Sequence, residues 1–203
     1  VEGPIGAGKT SLARRLCAHM EAELVLEDAS ANPFLARFYQ DRARYALPTQ
    51  LFFLFQRVHQ LRELAQRDLF RQQTVCDFLL EKDPIFAALT LGDDELKLYQ
   101  QIYANIAPQV AAPDLVILLE ARPGALMERI ERRGVAMELT ITENYLAELC
   151  RRYTSFFYQY NAAPLLIVNT ENINPVDHDG DFDLLLDRMA QMRGRREHFN
   201  RAA

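Results

Sequence analysis

Residues 3–10 have the types and spacing to hold the phosphates of a nucleotide. Gly3-Pro4-Ile5-Gly6-Ala7-Gly8-Lys9-Thr10 matches G-x-x-x-x-G-K-[ST] at every fixed position. Glycines so placed let the backbone turn tightly and aim its N–H groups at a β-phosphate, at the positive end of the helix that follows. Lys9 is then positioned to reach the β- and γ-phosphates, and the Thr10 hydroxyl to ligate Mg²⁺. The candidate ATP contacts are Gly3, Ile5, Gly6, Ala7, Gly8, Lys9 and Thr10. A chance glycine-rich turn is the bland alternative; the apolar approach, the complete Lys-Thr ending and the helical run after Thr10 weigh against it.

Chemistry at a bound γ-phosphate needs an acceptor and a group to take the acceptor's proton. Glu27 follows the short apolar run 23–26, which places it at the carboxyl end of a strand, where open α/β sheets bind ligands. It is the candidate base toward an alcohol, while its neighbour Asp28 points elsewhere if the strand geometry persists. Asp77 ends the run 74–76, where an acid can help hold Mg²⁺ directly or through water. The competing readings are a solvated turn acid for Glu27 and a helix cap for Asp77. In the segment 128–134, Arg129 and Arg133 share one helix face at i, i+4. Two guanidiniums so placed can clamp a transferring phosphoryl group, as a mobile lid does. A salt-bridged surface helix, with Glu128 and Glu131 as partners, is the bland alternative.

These groups need elements to position them. Residues 1–2 have the look of the tail of a strand begun before Val1, and residues 23–26, 74–76, 114–119 and 165–168 are short apolar strand candidates that end on polar or charged residues. Unbroken apolar runs suit strands buried on both faces, as in a parallel sheet. Helical patterns fill 9–20, 50–66, 94–106, 124–133, 143–160 and 182–193. The alternation predicts an α/β fold of the phosphate-loop NTPase type, three layers with a parallel central sheet flanked by helices and an arginine lid, in one domain over 1–203. The helix around Phe52, Phe53 and Phe55 is too apolar for an ordinary surface helix; it is either internal or part of a dimer interface.

Composition sets the outer limits. With 23 basic and 28 acidic residues the net charge is −5, which gives no general attraction for a nucleic-acid polymer. Cys17, Cys76 and Cys150 match no metal or redox spacing and read as buried small hydrophobes in a reducing compartment. His19, His59, His178 and His198 form no ligand pattern. No apolar run approaches the roughly 20 residues that span a bilayer, so the expectation is a cytoplasmic protein without a membrane partner. The basic tail 193–201 reads as a frayed, solvated end.

Taken in order, the segments resemble the deoxynucleoside kinase family, particularly its bacterial deoxyadenosine/deoxyguanosine branch. The resemblance rests on Glu2 with the phosphate loop, Asn32-Pro-Phe-Leu35 with Phe38-Tyr39, and Gln50-Leu-Phe-Phe-Leu-Phe-Gln-Arg57. It continues through Ile85-Phe86-Ala87, Arg129-Ile-Glu-Arg-Arg-Gly134 and Tyr145-Leu146. It implies ATP and Mg²⁺, a deoxynucleoside acceptor, purines preferred, and a homodimer. It implies that Glu27 activates the 5′-hydroxyl, that Tyr39 and Glu138 hold the sugar 3′-hydroxyl, and that Gln50 hydrogen-bonds the base. Arg57 would stand near both base and catalytic carboxylate, Arg129 and Arg133 would be lid arginines, and the stretch 172–183 would pack around the adenine. Two departures matter. The family often carries an acid-Arg-Ser triplet where this chain reads Asp77-Phe78-Leu79, so that Arg57 or Lys82 is left to replace the arginine. Near the base pocket the alignment slips by one, leaving Glu81, Lys82 or Asp83 to face the base. The rival readings are a nucleoside monophosphate kinase of thymidylate type, a regulatory module that binds ATP without transferring phosphate, and a structural partner domain.

Overall fold

A computed structural model describes residues 1–67, 73–107 and 112–200. The helices are α1 (Lys9–Met20), α2 (Leu35–Gln40), α3 (Arg42–Arg67), α4 (Asp83–Thr90), α5 (Asp93–Ile106), α6 (Pro123–Arg133), α7 (Glu143–Gln159) and α8 (Asp179–Gln191). The strands are β1 (Glu23–Val25), β2 (Thr74–Cys76), β3 (Val116–Glu120), β4 (Leu165–Asn169) and β5 (Arg196–Phe199). β1 pairs with β2, and β3 with β4 and β4 with β5, all in parallel. Residues 1–2 stitch the two sheets together. Glu2 forms a parallel bridge to Leu118, through Glu2 N–H to the Ile117 carbonyl and Leu119 N–H to the Glu2 carbonyl, both 2.7 Å. The Val1 backbone nitrogen donates to the Cys76 carbonyl at 2.6 Å. Toward the other end of β2 and β3 lies a cleft of about 960 Å³, lined in part by Val75, Leu115, Ile117, Leu16, Leu61 and Met189.

The unbroken apolar runs have the expected cause. On β3, Ile117 and Leu119 join the core formed with α1, α6 and α8, through Leu12, Leu16, Leu126, Ile130 and Leu185. Val116 and Leu118 join the opposite core, formed with α7 through Leu149, Tyr153 and Phe157. β4 divides likewise, Leu166 and Val168 to one face and Leu165 and Ile167 to the other. A strand covered on both faces has no polar alternation to show. A third cluster, Leu54, Val58, Leu80, Ala87 and Tyr99, joins α3, α4 and α5 beyond the sheet.

Several expectations are corrected. The tail is not a frayed end: β5 extends the sheet, with Leu165 opposite Arg196 and Val168 opposite Phe199. The Arg196 guanidinium donates to the carbonyls of Phe157, Tyr158 and Tyr160 at 2.7–2.8 Å, satisfying the open end of α7. Residue 201 of that tail lies outside the described residues. α3 begins eight residues before Gln50 and carries Pro48 inside it, so Gln50 sits mid-helix and does not start it. This helix is not internal throughout, since Leu54 is fully buried and Phe55 is 54% exposed. The three cysteines are free and half-buried; Cys17 donates to the Ala22 carbonyl.

Candidate active site

The phosphate loop turns between residues 1–2 and α1, and two of its glycines are dictated by space. A Cβ on Gly3 would stand 2.6 Å from the Leu119 carbonyl oxygen, and one on Gly6 would stand 2.8 Å from that of Leu126. Gly6 and Gly8 also have φ of 84° and 93°, a region that side chains disfavour. Lys9 Nζ donates to the carbonyls of Gly3 at 2.9 Å and Pro4 at 3.1 Å. Burial, with the Lys82 ammonium beside it, lowers the Lys9 pKa to about 8, although Glu2, Glu27 and Asp77 act against this.

Asp77 joins the loop to the acid after β1. Its Oδ2 accepts from the Thr10 hydroxyl at 2.5 Å and its Oδ1 accepts from the Glu27 backbone N–H at 2.7 Å. It is not a helix cap. Thr10 and Asp77 thus bring two hard oxygen donors into contact at the foot of the loop, a donor set suited to a magnesium that takes its other ligands from phosphate and water. Asp28 is exposed and caps the following turn, accepting from the N–H groups of Ser30 and Ala31.

Glu27 and Arg57 form an ion pair, and Arg57 forms a second with Asp83. Lys82 Nζ lies 3.6 Å from Glu27 Oε2 and 3.5 Å from Glu2 Oε2. The order along this buried chain is Glu2, Lys82, Glu27, Arg57, Asp83, with signs alternating at every step. Burial pushes the Glu27 carboxyl upward, but Arg57, Lys82 and Lys9 outweigh it and hold the group at about 2. Asp83 goes the other way. Its burial, with Glu27 and Glu2 nearby, outweighs Arg57 and Lys82 and pushes it up to about 7.

Gln50 is buried on α3, seven residues before Arg57 and on the same face; its amide donates to the Thr90 hydroxyl at 3.4 Å. Asn32 pins the loop after β1 to this helix by donating to the Thr49 carbonyl at 3.2 Å. Tyr39 on α2 is near Tyr145, Glu138, Arg42 and Arg133, and burial first, then Tyr145 and Glu138, push its hydroxyl pKa up. Arg133 pairs with Glu138 across the turn after α6, which Gly134 ends at φ 68°. Arg129 takes a different partner, donating to the Thr170 hydroxyl at 2.9 Å and carbonyl at 2.7 Å beyond β4.

The structure therefore brings Lys9, Thr10, Asp77, Glu27, Lys82 and Arg57 into one connected group. Gln50 adjoins it along α3, and Tyr39, Glu138 and Arg133 gather at a neighbouring edge. It separates Arg129 from Arg133 by partner, and it separates the three residues that alignment left open. Lys82 turns to Glu2 and Glu27, Asp83 turns to Arg57, and half-exposed Glu81 borders the cleft between the sheets. Glu2 was missed as a participant. Its one sequence signal is an acid in a segment that must lie between strands buried on both faces, where an unpaired carboxylate cannot stay charged.

A sequence model of the deoxynucleoside kinase family matches residues 1–192. The chain belongs to the deoxynucleoside kinase family. Among curated members, the deoxyguanosine kinase of Bacillus subtilis (strain 168) is 31% identical over 188 residues, covering 90% of this chain and 91% of the relative. The deoxyadenosine kinase of Lactobacillus acidophilus is 27% identical, with 86% of each chain covered. The fold is also that of a solved deoxyadenosine kinase from M. mycoides with products dCMP and a flexible dCDP bound. That structure aligns at a TM-score of 0.82 and 24% identity, over 95% of this chain and all of the other. The same enzyme with bound dATP aligns at 0.81, covering 93% and 96%. This deoxynucleoside kinase is an ATP-dependent phosphotransferase with a phosphate-loop α/β fold, which sets aside the monophosphate-kinase, purely regulatory and structural readings. Among the described residues no helix is long and apolar enough to cross a membrane.

Proposed function

We propose that this kinase transfers the γ-phosphoryl group of Mg·ATP to the 5′-hydroxyl of a purine deoxynucleoside, with Glu27 as the base. One observation carries the reading: Asp77 shares its carboxylate between the Thr10 hydroxyl and the Glu27 N–H, so that the phosphate cradle and the acid beside it are held as one unit. As the bond from the 5′-oxygen to the γ-phosphorus forms, the bond to the ADP oxygen breaks, and the hydroxyl proton passes to a Glu27 oxygen. A carboxylate held near 2 is ionised at every working pH and is a weak base. That suits a loose transition state, in which the alcohol becomes acidic late, once the phosphorus bond is forming. Lys9, Arg129 and Arg133 would balance charge on the phosphoryl oxygens, the two arginines giving up Thr170 and Glu138 to do so. Thr10 and Asp77 would hold Mg²⁺, whose chemistry is to neutralise charge on the β- and γ-phosphates.

On the acceptor side, Gln50 and Arg57 would read the base, and Asp83 joins them because its Oδ2 is buried with no hydrogen-bond partner. Tyr39 and Glu138 would hold the 3′-hydroxyl. Lys82, in place of the missing triplet arginine, would serve Glu27 and the phosphoryl group instead of the base. Purine preference is supported by the names of the relatives above. Glu27→Gln is expected to leave ATP binding near normal and to lower kcat by about 10²-fold or more; an unchanged kcat removes Glu27 from the role. Assays with Mg·ATP against the four deoxynucleosides and their four 5′-monophosphates test the acceptor directly. Faster turnover of deoxycytidine and thymidine than of the purines would sink the preference.

A further inference from the structure

We infer that Glu2 is a positioning residue, which holds the Lys82 ammonium at Glu27 and ties that placement to the seating of the phosphate loop. Glu2 and Lys82 are 1% and 2% exposed. Every approach to the Glu2 carboxylate is occupied. Oε1 accepts from Gly3 N–H at 2.8 Å and from the Tyr153 hydroxyl at 3.1 Å, and Oε2 accepts from Leu79 N–H at 2.9 Å and faces Lys82 Nζ at 3.5 Å. The first glycine of the loop, the backbone two residues beyond Asp77, helix α7 and the lysine thus meet on one side chain.

A neutral acceptor could satisfy the two backbone N–H groups and the hydroxyl. Only the fourth contact uses the negative charge, as a second carboxylate that draws on the buried ammonium from the side opposed to Glu27. Lysine carries its charge on a flexible four-carbon stem. Facing Glu27 alone, Lys82 would close onto that carboxylate and occupy the oxygen that must receive the acceptor's proton. Suspended between Glu2 at 3.5 Å and Glu27 at 3.6 Å, it stands beyond ordinary hydrogen-bond length from both. Glu27 Oε2 keeps a free approach for the 5′-hydroxyl, and the ammonium keeps donors for a phosphoryl oxygen. Tyr153, 3% exposed, fixes the Glu2 carboxylate from α7. The inference rests on Glu27 as base and on Lys82 as a cation acting beside it.

The test is a double-mutant cycle in steady-state kinetics on the full chain, with Glu2→Gln, Lys82→Met and both together. Glu2→Gln is expected to lower kcat by about 10- to 100-fold while KM for Mg·ATP changes by less than about threefold. In the Lys82→Met background the same change should lower kcat by less than about twofold further. Losses that multiply, or a raised KM with kcat unchanged, would show Glu2 to be a loop anchor only and overturn the inference. Should Glu2→Gln fail to fold, Tyr153→Phe provides the milder form: a loss of about threefold in kcat that disappears with Lys82→Met, with a persisting loss counting against it. A Lys82→Met enzyme of wild-type kcat overturns the inference at its root, whereas an unchanged Glu27→Gln enzyme removes the base reading itself.

Discussion

The contacts that stabilise Glu27 also set its chemistry. Its carboxylate is depressed to about 2 by Arg57, Lys82 and Lys9 against the opposing effect of burial, so the folded state favours its ionised form. In the unfolded chain the group returns to the ordinary glutamate range near 4.3. Its stabilisation is therefore fully present above that range and is lost as pH falls toward 2. Glu27→Gln removes this contribution at all pH values, so the variant is expected to be less stable than wild type at pH 6, and the gap to close on acidification. Between pH 5 and pH 3 the closure should be about 2 kcal/mol, read from urea unfolding at the two pH values. A gap independent of pH would mean that the ion pairs do not hold the carboxylate down. Glu27 and Asp77 were legible in the sequence because an acid at a strand's carboxyl end announces itself. Asp83 was named only as one of three choices, since a 3₁₀ turn at Leu80–Lys82 sends neighbouring side chains in different directions. No spacing rule reads that.

At the scale of elements, the strands and long helices follow from periodicity, and the failures follow from forces that periodicity does not carry. Residues 196–199 read Arg-Glu-His-Phe, with nothing apolar enough to mark a strand. What makes them one is the exposed ladder edge of β4 and the carbonyls left open at the end of α7. A helix end has several unpaired C=O groups and a partial negative charge, and the Arg196 guanidinium meets both. Arg196→Ala is expected to reduce stability by about 1–2 kcal/mol, given the exposure of the site. That corresponds to a fall in Tm of roughly 2–8 °C in a domain of this size. Differential scanning calorimetry would show it, and Arg196→Lys should recover only part, because an ammonium gathers its donors on one nitrogen whereas the guanidinium spreads these three bonds over two. A wild-type Tm for Arg196→Ala would return the tail to the status of a solvated end. The short helices α2 and α4 were hidden for a related reason: each is held by what it packs against, α2 on α3 and on the turn carrying Glu138, and α4 on α3 and α7.

At the scale of the molecule, α3 has two faces with different obligations. One buries Leu54 and Val58 and presents Gln50 and Arg57 to the site, with Phe53 beneath the Arg57 guanidinium at 5.1 Å. The other leaves Phe55 54% exposed. A large aromatic held in water on the helix that carries Gln50 and Arg57 is what a two-fold interface would cover, since isologous pairing buries the same patch twice. Two phenylalanines, each with about half of its surface in water to withdraw, contribute roughly 1.5–3 kcal/mol before association costs, enough to shift a dimerisation equilibrium about ten- to a hundredfold. Sedimentation velocity of the wild-type chain is therefore expected to show a species of twice the chain mass. Phe55→Lys places two ammonium groups where two rings would meet and should move the protein to the monomer at the same concentration. A wild-type monomer would refute the pairing. A dimer that survives Phe55→Lys would place its interface on another face, and α3 would then expose Phe55 for some other reason.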